Sequence, residues 1–421
     1  MAASETHRAI DAVWRIESPR LIAGLTRIVR DVGLAEDLAQ DALVAALEKW
    51  PHSGVPDNPG AWLMATARNR AIDRLRRREL LERKHAELER ELEGRQERLA
   101  AELEASVDDD IGDDLLRLIF TACHPVLSTE ARVALTLRLL GGLTTDEIAR
   151  AFLAQEPTIA QRIVRAKRTL ADANVPFEVP RGDELARRLA SVLEVLYLIF
   201  NEGYTASSGP ALLRADLTAE AIRLTRLLRR LLPGQCEAAG LLALMLLTDA
   251  RRPARTGPAG ELIPMAEQDR KLWNAGQITE GVALVTTALA HGPAGPYQLQ
   301  AAIAAVHDEA PTADATDWPQ IMALYEVLLR LSDNPVVRLN HAVAVAMVRG
   351  SRAGLELLAE LDTDERMTGD HRVPAVRAHL LEMAGERDAA RDGYLAAAAL
   401  ASNLPQQRYL YARAARLAGD R

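Results

Sequence analysis

Apolar residues recur three and four positions apart along nearly the whole chain. Leu21, Ile22, Leu25, Ile28 and Val29 form one stripe, and Leu34, Leu38, Leu43, Ala46 and Leu47 form the next. This spacing is that of an amphipathic helix, whereas a half-buried strand would alternate. Prolines and glycines punctuate the stripes, and no convincing alternating run occurs. The expected fold is all-α and multidomain. The longest apolar run, Ala238 to Leu247, is about half of the roughly 20 residues a membrane span needs, so it reads as a buried helix and no membrane partner is expected.

The pattern divides the chain. Residues 1–80 read as a compact helical set. Residues 81–112 form a linker dense in Glu, Arg and Lys with sparse leucines, suited to a solvated helix or a flexible connection. Residues 113–175 form a second, smaller helical unit. A stretch containing Pro176 and Pro180 then precedes residues 183–421, more than half the chain. There, Gly276, Gly350 and Gly385 each fall at an expected turn between two helices. Gly281, Val285 and Ala288 follow Gly276 by five, nine and twelve residues, and Ala390, Tyr394 and Ala397 follow Gly385 at the same offsets. Gly350 and Gly385 are 35 residues apart, close to the roughly 34-residue tetratricopeptide period. The expectation is a TPR-like helical solenoid, with a generic helical bundle as the alternative.

Composition sharpens this reading. Hydrophobic residues are 48% of the 421 positions but aromatics only 4%, so the core is mostly Ala, Leu and Val, which suits close helix packing. Lys plus Arg is 51 and Asp plus Glu 59, a formal net charge of −8. A globally basic nucleic-acid coat is excluded, but a local basic face is not. Cys123 and Cys236 are the only cysteines. They support neither a disulfide framework nor a Cys-based zinc site, and they fit a reducing cytoplasm. The first ten residues include Glu5, His7 and Arg8 and no apolar run, so no signal peptide is expected.

Three segments carry candidate chemistry. The first runs from Gly142 to Arg168. Thr144 or Thr145 can cap a helix whose first turn carries Asp146 and Glu147 and whose stripe is Ile148, Ala149 and Phe152. Pro157 suits the start of a second helix. That helix buries Ile159, Ile163 and Ala166 and leaves Ala160, Gln161, Arg162, Arg165, Lys167 and Arg168 able to face outward. This is a helix-turn-helix layout. Gln and Arg on the second helix can read base edges in the major groove, and Arg and Lys can neutralise phosphates. Taken alone, it is also the layout of an ordinary helical hairpin.

The second segment, Pro59 to Arg78, carries six arginines against one aspartate from Arg68 onward. Leu63, Ala67, Ala71 and Leu75 form its buried stripe, and Arg70, Arg74 and Arg77 stack on another face that suits a phosphate backbone. Trp62 can pack in the core or hold an opened strand. The third segment is acidic: Asp31, Glu36, Asp37, Asp41 and Glu48. It reads as a solvated face, or as a dock for a basic protein surface.

In this order, the three segments resemble the extracytoplasmic-function (ECF) sigma factors of bacteria, the small specificity subunits of RNA polymerase. The matching residues are Ala35-Glu36-Asp37-Leu38-Ala39-Gln40, then Ala61-Trp62-Leu63 with Ala67-Arg68-Asn69-Arg70-Ala71-Ile72-Asp73-Arg74, then Leu143-Thr144-Thr145-Asp146-Glu147-Ile148-Ala149 with Thr158-Ile159-Ala160-Gln161-Arg162. The first two stretches belong to the family's sigma-2 domain and the last to its sigma-4 domain. The resemblance covers residues 1 to about 173. The C-terminal part, with Leu115 to Pro125 and Leu262 to Trp273, looks like a subgroup with a TPR-like extension.

The resemblance implies roles for individual residues. Asp37, Leu38 and Gln40 would dock core RNA polymerase. Trp62, Arg68, Asn69, Asp73, Arg74 and Arg77 would engage and open the downstream promoter element, with the loop from Pro51 to Gly60 capturing an extruded base. Thr158, Gln161, Arg162 and Arg165 would read the upstream element. Many relatives have Gly before the recognition-helix Thr and Lys or Ser soon after it. Here Pro157 and Ala160 stand there, which leaves open which bases are read. No catalytic residue, metal or cofactor is implied. The extension would regulate the two sigma domains or recruit a protein partner.

Two rivals are weaker. Asp109-Asp110-Ile111-Gly112-Asp113 matches a DDxxD pattern that can share Mg²⁺ and diphosphate. No second metal motif accompanies it, and an acidic helix start accounts for it. A helix-turn-helix regulator with a TPR-like sensor would leave the Arg68–Arg78 and Asp37 segments unexplained.

Overall fold

The computed structural model describes residues 2–83 and 111–419. Among them the regular elements are all helical, apart from two isolated bridges, Gly209–Asn403 and Thr256–Leu262. Most of the expected linker 81–112 lies outside the described residues, as do Asp109 and Asp110. The chain forms two compact units, Met1–Leu196 and Tyr197–Arg421.

The first unit begins with α1 (Ala2–Val29), α2 (Val32–Ser53) and α3 (Pro59–Arg83). Asp31 caps α2, its side chain accepting from the Leu34 amide at 2.8 Å. Asn58 does the same for the Ala61 amide at the start of α3, at 3.0 Å. Leu21, Ile22 and Leu25 of α1, Leu38 and Ala42 of α2, and Leu63, Ala67 and Ala71 of α3 are buried together. The alanines let the three axes approach closely.

The next four helices are α4 (Ile111–Ala122), α5 (Thr129–Leu139), α6 (Thr145–Ala151) and α7 (Glu156–Asp172). Ser128 caps α5. Thr144, one of the two expected caps, closes a full capping box on α6. The Glu147 amide donates to its hydroxyl at 3.1 Å, and its own amide donates to the Glu147 carboxylate at 2.8 Å. Ion pairs join this half to α1–α3: Arg27 with Asp114 at 3.3 Å, Arg15 with Glu147 at 2.6 Å, and Glu36 with Arg138 at 2.6 Å.

The helix that follows, α8 (Gly182–Tyr204), starts in this unit. Arg188 donates to the Phe120 carbonyl at 2.8 Å and Ser191 to that of Cys123 at 2.7 Å, while Arg132 pairs with Glu194 at 3.0 Å. The compact units therefore divide inside α8, between Leu196 and Tyr197, and not at the expected residue 183.

The second unit continues with α9 (Ala215–Leu231), α10 (Cys236–Ala250), α11 (Ala275–Leu289), α12 (Pro296–Glu309), α13 (Trp318–Leu331), α14 (Pro335–Arg349), α15 (Ser351–Leu361), α16 (Arg372–Met383), α17 (Arg387–Leu400) and α18 (Leu404–Gly419). Gly350 and Gly385 sit at turns with φ of 93° and 82°, a region that favours glycine. Gly276 differs from the expectation: it lies in the first turn of α11, and Asn274 supplies the cap there. Gly281, Val285, Ala288, Ala390, Tyr394 and Ala397 are all buried. A Cβ on Gly281 would lie 2.6 Å from the Leu247 side chain, so this approach needs glycine. The end of the array is tied to its beginning. The Asn403 amide donates to the carbonyls of Ala206 and Ala211 at 3.0 and 2.9 Å, and the Leu404 amide to that of Gly209 at 3.1 Å.

Candidate nucleic-acid and polymerase interface

The turn between α6 and α7 places Leu153 at φ 48° and aims α7 across α5. Ile159, Ile163, Ala166 and Leu170 fix the buried side of α7. Its period then brings Thr158, Gln161, Arg162 and Arg165 to one cleft of about 430 Å³, walled by Ser128 and Glu130 at the start of α5. Thr158, Gln161 and Arg165 are exposed, and Arg162 is half-buried. Arg162 faces Glu130, whose carboxyl is held below its ordinary value by its own amide, by Ser128 and by the nearby arginines. Four of the expected DNA-reading residues thus share one surface.

Lys167 does not join them. Expected among the outward cations, it is turned inward and pairs with Glu36. Arg168 does remain outside, 3.4 Å from Asp172.

On α3, Asn69, Asp73 and Arg74 are exposed and Arg68 is half-exposed. The Arg77 side chain lies outside the described residues. Arg70 leaves the expected phosphate-facing row: it donates to the Asp41 carbonyl at 2.5 Å, binding α3 to α2. Trp62 is half-buried and meets Trp50 edge to face, with centroids 5.3 Å apart. The packing reading of Trp62 therefore applies to part of the ring, and Lys49 Nζ lies over the ring 5.9 Å from its centroid. The loop beside it is shorter than Pro51 to Gly60, because α2 runs to Ser53 and α3 starts at Pro59.

On α2, Asp37 is exposed. Leu38 is only 1% exposed, so its side chain belongs to the core and not to a docking surface. Gln40 is half-buried and donates to Glu36 at 2.7 Å.

The Sigma-70 region 2 family matches residues 14–80, and the Sigma-70 region 4 family matches residues 117–170. Residues 188–289 match a family of unknown function, DUF6596. An ECF RNA polymerase sigma factor, SigK of Mycobacterium sp. strain KMS, is 30% identical over 37% of this chain and 77% of its own length. The chain belongs to the ECF sigma factors. An uncharacterized protein of Rhizobium meliloti strain 1021 is 42% identical over 98% of the chain and 96% of its own length. A probable ECF sigma factor, SigI of Mycobacterium tuberculosis, is 28% identical over 41% of this chain.

In this ECF sigma factor, the residue that sequence reasoning missed is Glu36. It is 2% exposed, yet it was expected on a solvated acidic face. Burial pushes its carboxyl up, but Lys167 and Arg138 outweigh burial and hold it below its ordinary value. One signal was available: position 36 lies on the same stripe as Val32 and Ala39, which are buried. Of the DDxxD aspartates only Asp113 lies among the described residues, where it is exposed, and its neighbour Asp114 is held by Arg27 and by Arg117 at 2.6 Å. Among the described residues no group of three His, Cys, Asp or Glu side chains could hold a metal ion, and no helix is long and apolar enough to cross a membrane. The sigma factors are not an enzyme family.

Proposed function

We propose that this sigma factor binds core RNA polymerase, recognises promoter DNA and promotes strand opening, and that its C-terminal extension regulates these steps. Residues 1–80 act as the sigma-2 domain and residues 113–175 as the sigma-4 domain. The observation that carries this reading is the single cleft shared by Thr158, Gln161, Arg162 and Arg165. A buried, capped scaffold holds these side chains in fixed register. Arg162 can then present paired donors, and Gln161 a donor and an acceptor, to base edges in a major groove, while Arg165 neutralises a phosphate. Arg68, Asn69 and Arg74 meet the backbone of the downstream element, and the half-exposed Trp62 ring stacks on an unpaired base. Asp37 contributes to the polymerase dock as an exposed charge. Binding energy alone opens the strands, and phosphodiester chemistry belongs to the core enzyme.

Core association tests the first step. Titrating fluorescently labelled full-length chain with core polymerase should give saturable, tight binding, weakened by Asp37→Lys. No association, where a control sigma factor associates, would overturn the reading. Regulation is tested by removing the extension. The cut belongs after Leu196 and not near Pro180, because Arg188 and Ser191 of α8 satisfy carbonyls of the sigma-4 half. Unchanged activity and unchanged signal response after that cut would remove the regulatory role.

A further inference from the structure

Arg251, at the C-terminal end of α10, borders two cavities in the second unit, of about 230 and about 170 Å³. It is 9% exposed, and its Nε has no hydrogen-bond partner. Its Nη1 lies 3.0 Å from the Met265 sulfur and 3.6 Å from Asp308 Oδ1, the latter too long for a hydrogen bond. The Asp308 side chain is fully enclosed, and neither of its oxygens has a hydrogen-bond partner. Burial pushes its carboxyl up to about 6 despite Arg251 and Arg270.

Two more guanidinium groups bear on Arg251. Arg255 donates to the Tyr204 carbonyl and lies 3.6 Å over that ring. Arg270 donates to the carbonyls of His307 and Ala310 at 2.7 and 2.8 Å and lies 4.4 Å over Trp273. Both have neutral partners, so neither brings a countercharge. Burial and the two cations Arg251 and Arg270 push the His307 imidazole down to about 4, which keeps it neutral. Three cations therefore gather around one reluctant carboxylate. Charge removed from water in this way is costly unless an anion balances it.

The larger cavity suits such an anion. No carboxylate lines it. Its polar lining is neutral and already paired within the fold, Tyr197 donating to Gln300 at 3.4 Å and Tyr325 bonded to Asn340, while Leu244, Ile303 and Leu328 form an apolar wall. Burial pushes the Tyr325 phenol up to about 12, so it remains a donor. Sites for drug-sized ligands usually measure roughly 300–1,000 Å³. At about 230 Å³ the space fits a smaller molecule.

We propose that this cavity binds a small organic carboxylate, with its anionic group on Arg251 and its apolar body against Leu244, Ile303 and Leu328. A phosphate group is a poorer match, since one guanidinium faces the cavity and a doubly charged head group calls for more. The inference goes beyond the transcription reading: it gives the extension an effector of stated chemistry, and binding is measured without transcription.

The test is isothermal titration of the full chain with isobutyrate, isovalerate, benzoate and 4-hydroxybenzoate, each beside its neutral amide. Inorganic phosphate and an N-acetylated tripeptide with a free C-terminus complete the set. At least one small acid should bind saturably at one site, with its amide weaker by about tenfold or more. Arg251→Lys should weaken that acid by a similar factor. Asn340 lines the cavity, is exposed and hydrogen-bonds the Tyr325 phenol, so Asn340→Trp obstructs the space and gives up that bond, whereas Asn340→Ala gives up the bond and leaves the space open. Asn340→Trp should abolish binding, Asn340→Ala should retain it, and both should melt cooperatively at similar temperatures. The proposal fails if no acid binds, if acid and amide bind equally, or if binding survives Asn340→Trp. It fails equally if phosphate or the tripeptide binds and the small acids do not.

Discussion

At position 36 a carboxylate sits where the helix period calls for an apolar side chain. Its partners Arg138 and Lys167 lie more than a hundred residues away in sequence, so no local pattern could pair them. Removing one member of a buried pair strands the others and costs about 3–5 kcal/mol when all are buried. Here the Arg138 and Lys167 side chains keep 20% and 18% exposure, which lets water repay part of the loss. Glu36→Gln should therefore destabilise the chain by about 2–3 kcal/mol in denaturant unfolding. The pH dependence follows from the lowered pKa. A carboxyl held below its unfolded value contributes stability above the ordinary value of 4.5 and loses it as pH falls through the lowered value. The difference in Tm between wild type and Glu36→Gln should thus be full at neutral pH and shrink on acidification below that value; a constant difference would contradict the ion-pair account. Leu38 teaches the converse. Membership in a family motif placed it on a docking surface, but its own helix stripe had already placed it in the core.

Elements with short-range causes were the most legible. The capping box at Thr144 needs only residues three apart, and Thr144→Ala should cost about 1 kcal/mol of stability. The same loosening should weaken DNA binding by the full chain. The offsets five, nine and twelve after Gly385 marked the buried face of α17, because helix period alone fixes it. Gly276 misled because a run of short 3-10 turns precedes α11 and Asn274, not a glycine, starts the helix. Close helix approach is itself testable at Gly354. A Cβ there would lie 2.7 Å from the Ala342 carbonyl oxygen and 2.7 Å from the Ala346 methyl. Alanine gains about 1 kcal/mol in helix propensity, but overpacking costs about 1–3 kcal/mol. A backbone carbonyl cannot step aside, so Gly354→Ala should lose about 1–2 kcal/mol net by chemical denaturation. A stabilised variant would mean that α14 and α15 pack more loosely than described.

For the molecule as a whole, a net charge of −8 coexists with a nucleic-acid interface because charge is local. Arg74 on α3 and Arg165 and Arg168 on α7 are exposed cations, with Asp73, Glu130 and Asp172 interspersed among them. Sequence order alone separated the DNA-reading segments from the long C-terminal part. It could not show that α8 serves both units, because that depends on Arg188 and Arg132 finding partners across the fold. The central claim is promoter-directed initiation, and run-off transcription from a promoter library with core polymerase and the full chain tests it most directly. The account predicts transcripts from a defined subset of promoters that depend on the chain. Arg162→Ala should reduce them by about 1–3 kcal/mol in apparent promoter affinity and relax the sequence preference, whereas Arg165→Ala should weaken all of them evenly. No chain-dependent transcripts, under conditions where a control sigma factor yields them, would contradict the account.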